Sequence, residues 1–166
     1  MQIYFNPLTY SITHKNKRPL LKTDKFNGFI IGYNSCRPKS LGRVALNSPN
    51  FEDAPLIDPN FLSHEEDIYD VKCAINFSQV LANTNSIKKI RNESVKHDLL
   101  NATEEEMIDH FKSNAVSIYH PCGTCKMDED PKKGVVSERL KVHGMENLWI
   151  ADASVFPNIT SGNINA

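Results

Sequence analysis

The rhythm of apolar and polar positions changes twice along this chain, and each change predicts a different kind of element. Ile3 to Ile12 is rich in aromatic and β-branched side chains, a strand composition, interrupted at Asn6-Pro7. His14 to Lys25 is polar and basic, contains Pro19, and reads as a connection. Phe26 to Tyr33 is a second apolar run, in which Gly28 and Gly32 mark places where a side chain would obstruct a neighbour. Gly42-Arg-Val-Ala-Leu-Asn-Ser48 alternates polar with apolar, the period of a half-buried strand. These segments are expected to feed one antiparallel sheet.

The period then lengthens. Ser48 to Pro59 holds three prolines and reads as a surface connection. Ser63-His-Glu-Glu66 has the spacing of a capping box, in which a hydroxyl accepts from an early helix amide while a carboxylate reaches back. A long helix should follow. Ile68, Val71, Ala74, Ile75, Phe77 and Leu81 supply its apolar stripe, and its end falls near Asn83 to Asn85. Thr103-Glu-Glu-Glu106 repeats the capping pattern, and Met107, Ile108 and Phe111 form the buried face of a shorter helix. Strands followed by helices give an α+β fold class, an antiparallel sheet with packed helices.

From Val116 the pattern shortens again, with frequent glycine and brief apolar runs. Leu148-Trp-Ile-Ala151 is expected to be a short buried strand that delivers Asp152 to an edge, where the carboxylate can cap the next turn or meet a ligand. In Ile118-Tyr-His-Pro-Cys-Gly-Thr-Cys-Lys-Met127, Pro121 fixes its own φ and pushes His120 toward extended backbone, so His120 is placed at a strand end. Gly123 then permits a tight reversal or a close backbone approach to a ligand. Asp128 to Pro131 is a turn.

Composition bounds the rest. The chain has 166 residues and 40 % apolar content, enough for a globular core of one domain or part of a larger one. Nineteen basic against twenty acidic residues leave a net charge of −1, so no global field favours nucleic acid or an anionic membrane. No apolar run approaches the ~20 residues of a membrane-spanning helix, and Met1-Gln-Ile-Tyr-Phe5 lacks the features of a secretory signal. Cys122 and Cys125 form a Cys-x-x-Cys pair, which elsewhere suggests a redox dithiol or half a zinc site. A structural zinc needs four ligands, yet Cys36 and Cys73 are isolated and the histidines lack paired spacing, so a chance pair is the leading account and no metal is expected.

Several separate blocks together resemble the C-terminal signature of the glucose-methanol-choline (GMC) family of flavin-dependent alcohol oxidoreductases. They are Tyr119-His-Pro-x-Gly-Thr-Cys-Lys-Met127, Gly134-Val-Val136, Arg139-Leu-Lys-Val-His-Gly144, Leu148-Trp-Ile-Ala-Asp-Ala-Ser154 and Ser161-Gly-Asn-x-Asn-Ala166. Upstream, Arg37-Pro-Lys-Ser-Leu-Gly-Arg-Val44 and Pro55-Leu-Ile-Asp-Pro-Asn-Phe-Leu62 are similar to the start of that family's C-terminal region, in its insect glucose dehydrogenase-like or ecdysone oxidase-like branch.

The resemblance implies that residues 1–115 are part of a substrate-binding domain, and that residues 116–166 return to an FAD-binding domain. It implies oxidation of an alcohol CH–OH group, with His120 and Asn163 as the catalytic pair. It sets Asp152, Ala153, Asn163, Ile164 and Asn165 against FAD. The chemistry agrees with the residue types. Hydride leaves a carbinol carbon only as its oxygen loses a proton, imidazole is the side chain suited to take that proton near neutrality, and no side chain accepts hydride, so a cofactor is required. Asn163 and Asn165, following Ser161-Gly162, could begin a helix whose amino end faces a ligand.

None of the seven glycines belongs to a Gly-x-Gly-x-x-Gly turn, the element that holds a dinucleotide diphosphate. The chain is therefore expected to be a C-terminal fragment that binds FAD poorly alone. The alternative is a truncated, non-catalytic paralogue acting as a folding or binding module. Substrates implied by the family are sugars, small alcohols, and steroids such as ecdysone. The electron acceptor, oxygen or quinone, is open. Asn92-Glu-Ser94 and Asn101-Ala-Thr103 fit the glycosylation triplet, and secretion of a parent protein is implied only by the insect relatives.

Overall fold

The computed structural model describes residues 1–15, 18–92, 99 and 101–165, without the side chains of 12–20. The chain divides into two units, Met1–Ser35 with Ile68–Val116, and Cys36–Asp67 with Ser117–Ala166. His97 and part of the Asn92 triplet lie outside the described residues, as does Ala166 at the end of the last motif block.

In the first unit, Asn6-Pro7 separates two strands, β1 (Gln2–Asn6) and β2 (Tyr10–Lys15), and they take different partners. β2 pairs with β3 (Arg18–Thr23), where a connection was expected; β1 pairs with β4 (Ile30–Asn34). The hairpin escapes a composition-based reading because Pro19 and the basic residues tolerate an isolated two-stranded ribbon. Its base is tied by Asp24 N–H to the Thr9 carbonyl (3.0 Å) and by the Ser11 hydroxyl to Asp24 (3.0 Å). In the other pair Gly32 stands opposite Tyr4, and a Cβ there would lie 2.2 Å from a Tyr4 ring carbon, the obstruction its position predicts.

Helix α1 (Glu65–Ala82) buries Val71, Ala74 and Ile75, as its period predicts. Phe77 is exposed: two residues beyond Ile75, it lies about 200° around the helix at ~100° per residue. The cap is supplied by His64, whose Nδ1 accepts from Glu66 N–H at 3.2 Å, one residue later than the Ser63 box predicts. A short helix α2 (Asn85–Ile90) follows, capped by Thr84; the polar Asn83-Thr84-Asn85 is a restart as well as an end. Helix α3 (Glu104–Asn114) has the predicted capping box at Thr103 and Glu106, buries Met107 and Ile108, and stacks Phe111 on Tyr33 with ring centres 5.6 Å apart.

Among the described residues the second unit's strands are the short pair β5 (Arg43–Ala45) and β6 (Leu56–Asp58), the latter within the expected surface connection. The antiparallel strands thus form three separate two-stranded sheets among the described residues, not one. No regular strand spans 116–165; isolated bridges link Met127 to Val136, Val136 to Val142, and Lys141 to Trp149. Val136 is fully buried at their junction. Leu148 and Trp149 are 44 % and 55 % exposed, so the expected buried strand is instead a surface segment, held by Val142 N–H to the Leu148 carbonyl (3.0 Å) and Ile150 N–H to the Leu140 carbonyl (3.0 Å). Among the described residues no helix is long and apolar enough to cross a membrane.

Candidate active site

His120 does not end a strand. It follows a bend in which Tyr119 takes a positive φ of 61° and donates its N–H to the Ser117 hydroxyl (3.0 Å). That geometry is rare for a bulky residue, and it turns the chain sharply just before the imidazole. Two residues beyond Pro121, Gly123 reverses the chain again at φ +88°. A Cβ at Gly123 would meet only the Phe156 carbonyl, at an ordinary 3.5 Å, so the dihedral and not the space calls for glycine.

The block is then stitched to the segment after Asp152. The Ser154 carbonyl accepts both Gly123 N–H (3.1 Å) and Cys125 N–H (3.0 Å), and the buried Val155 offers its carbonyl to Met127 N–H (2.9 Å). These bonds fix the backbone from Gly123 to Met127, starting three residues past His120. The imidazole is half-buried, and among the described residues no hydrogen bond engages it.

Asp152 is the N-cap of a single 3-10 turn (Ala153–Val155), accepting from Ser154 N–H at 2.8 Å. The Ser154 hydroxyl and amide hold its carboxyl below the usual range, so it stays ionised and solvent-facing, an acceptor suited to ligand hydroxyls. Ala153 is half-buried in that turn. Asn163 and Asn165 are exposed and Ile164 is half-buried, and all three belong to the same unit as His120. No hydrogen bond among the described residues joins His120 to Asn163; the bonds that are present join the block after His120 to Ser154 and Val155, in the turn that Asp152 caps.

All four cysteines are free, and burial pushes the Cys122 thiol up, away from thiolate. Among the described residues no cluster of histidine, cysteine or carboxylate side chains is arranged to hold a metal. His143 has its Nε2 2.9 Å from the Asp128 carbonyl and fastens that turn.

One polar cluster was not found from sequence. Asp67, 5 % exposed, accepts from Lys39 N–H (2.7 Å), Ser40 N–H (2.7 Å) and the Ser40 hydroxyl, while Ser40 Oγ accepts His64 N–H (3.2 Å). Burial pushes the carboxyl up, but these bonds and the nearby His64 outweigh it and hold it below the usual range. Nothing in Glu65-Glu66-Asp67 distinguishes this carboxylate from its two exposed neighbours, because its partners lie 27 and 28 residues earlier.

Comparison with known proteins adds family context. The description "GMC oxidoreductase" matches residues 38–166. The chain is 37 % identical over 139 residues to an alcohol dehydrogenase [acceptor] of Pseudomonas putida, covering 84 % of this chain and 25 % of that protein. It is 32 % identical over 166 residues to an oxygen-dependent choline dehydrogenase of Klebsiella pneumoniae, covering all of this chain and 29 % of that protein. Among solved structures, formate oxidase of Aspergillus oryzae superposes with a TM-score of 0.79 at 30 % identity, over 87 % of this chain and 26 % of that one. Pyridoxine 4-oxidase of Mesorbium loti gives 0.68 at 29 %, over 82 % and 26 %. The chain thus spans little more than a quarter of the length of these relatives.

Proposed function

Because the chain belongs to the GMC oxidoreductase family, we propose that it is the C-terminal part of an FAD-dependent enzyme that oxidises the CH–OH group of an alcohol. In this reading residues 1–115 contribute to the substrate-binding domain and residues 116–166 return to the FAD-binding domain. His120 takes the proton from the substrate hydroxyl, and the Asn163 carboxamide donates an N–H to the same oxygen. Together they hold the developing alkoxide in place. FAD, when bound, supplies the hydride acceptor that side chains lack.

The observation that carries this reading is the half-buried His120, free of hydrogen bonds to described residues, three residues ahead of backbone held by the Ser154 and Val155 carbonyls. A base fixed in place but with its nitrogens uncommitted is what proton abstraction needs. The residues present also suit the cofactor. Asp152 offers an ionised, solvent-facing carboxylate to ribityl hydroxyls, with Ala153 beside it, and Asn163, Ile164 and Asn165 offer amides and one apolar side chain.

In this reading the substrate comes from the family's range of sugars, small alcohols and steroids such as ecdysone, supported by the resemblance of the motif blocks to the insect glucose dehydrogenase-like branch. Relatives described as oxygen-dependent and as acceptor-linked both occur, so oxygen and quinone are the acceptors to assay. Secretion of the whole protein belongs to the same reading, by analogy with the insect relatives alone.

The test is made on a protein that joins this chain to its dinucleotide-binding portion. His120→Ala should lower kcat by about 10²–10⁴-fold while the flavin absorbance of the purified protein stays unchanged. Full turnover in that variant removes His120 from the role.

A further inference from the structure

Asn163 lies on a segment with little to hold it. Among the described residues no backbone-to-backbone hydrogen bond reaches 157–165. Thr160 bonds only locally, its hydroxyl to the Gly162 carbonyl at 3.0 Å. Among the described residues, a side-chain tie reaches this segment from 124 residues earlier, where Arg37 Nε–H donates to Ser161 Oγ at 2.9 Å.

The other end of that tie is firm. Pro38 follows Arg37 and fixes its own φ. The next two amides, Lys39 N–H and Ser40 N–H, both donate to the buried Asp67 carboxylate at 2.7 Å. A guanidinium two residues from such a clasp is a pre-oriented donor, since its planar fork loses little freedom on bonding. We propose that Arg37 is a positioning residue: anchored through the Pro38-Lys39-Ser40 clasp on Asp67, it holds Ser161 and thereby sets where the Asn163 carboxamide stands. The role in catalysis rests on the reading that Asn163 contacts the substrate oxygen; the anchoring does not.

An exposed hydrogen bond of this kind contributes little to overall stability. Its effect is local order. With the anchor present, Ser161 to Asn165 samples a narrow set of conformations; without it, the glycine at 162 leaves the segment loose.

The experiment has two arms. In the protein that joins this chain to its dinucleotide-binding portion, isotopically labelled over these 166 residues, Arg37→Ala and Ser161→Ala are each compared with the parent sequence by backbone and Asn side-chain nitrogen-15 relaxation. Both substitutions should lower the order parameters of Ser161 to Asn165 to below about 0.6, leaving Met127, Val136 and Val155 near ~0.85. The double variant should be no looser than Arg37→Ala alone. An unchanged tail in either single variant, or additive effects in the double, overturns the anchor. Ser161→Ala removes only a surface hydroxyl, so the test survives even if Arg37→Ala fails to fold.

In the FAD-loaded protein that carries this chain, Ser161→Ala should reduce kcat several-fold with KM nearly constant, and the ratio should not recover with excess substrate. A loosened tail with undiminished kcat rejects the positioning role. A parent protein inactive toward every alcohol tested would sink the proposed function instead, and the relaxation arm would still read the anchor.

Discussion

The two units are held together by different physics. In the first, helical side chains do most of the work: Val71, Ala74 and Ile75 of α1 and Met107 and Ile108 of α3 are buried, and Phe111 stacks on Tyr33. In the second, only Val136 and Val155 are buried apolar side chains among the described residues, and order comes from backbone amides meeting carbonyls and from the Asp67 clasp. Its apolar side chains face outward, with Leu41, Leu46 and Phe51 82–95 % exposed. The difference is one of tolerance. Burial is non-directional and forgives small shifts, whereas a hydrogen-bonded lattice fixes backbone atoms to within a few tenths of an ångström. The unit that carries every candidate catalytic residue is the one built the second way.

That contrast can be broken by measurement. Ile75→Ala should cost about 2–5 kcal/mol, read by urea denaturation, because a buried side chain in the first unit leaves a cavity. Asp67→Asn should cost about 2 kcal/mol, since its amide nitrogen cannot accept from the Lys39 or Ser40 N–H. If Asp67→Asn proved the more damaging, hydrogen bonding and not packing would dominate both units. The pH response sharpens the point. The folded Asp67 carboxyl lies below its unfolded value of ~3.9, so its contribution is complete above about pH 4 and is lost as pH falls through the folded value. Asp67→Asn should flatten that acid limb.

Smaller effects belong to the surface of the first unit. Thr103→Ala removes one half of the α3 capping box and should cost about 1 kcal/mol, seen as faster hydrogen exchange in the first turn of that helix. Lys72→Ala breaks the ion pair with Glu104 and should cost under about 1 kcal/mol. It should vanish against the parent chain in high salt.

What could be read in advance follows the same division. α1 and α3 were legible because a buried stripe repeats every three or four residues, and Thr103 because its partner Glu106 is three positions away. The hairpin of β2 and β3 was not, since Pro19 and the basic residues around it look like a loop. In the second unit the motif blocks named His120, Asp152 and Asn163, and Gly123 marked the reversal. Their surroundings were hidden, because each bond that builds them joins distant positions: Arg37 to Ser161, Lys39 to Asp67, Gly123 to Ser154. Leu148-Trp149 misled for a related reason: four apolar residues in a row signal burial only when something covers them.

The shared carbonyl of Ser154 carries one more implication. With two donors, Gly123 and Cys125, converging on a single oxygen, the spacing between those donors is as constrained as their chemistry. Inserting or deleting one residue at Thr124 would throw both amides out of phase with their common acceptor. Descendants of this chain can exchange side chains along that loop far more readily than they can change its length.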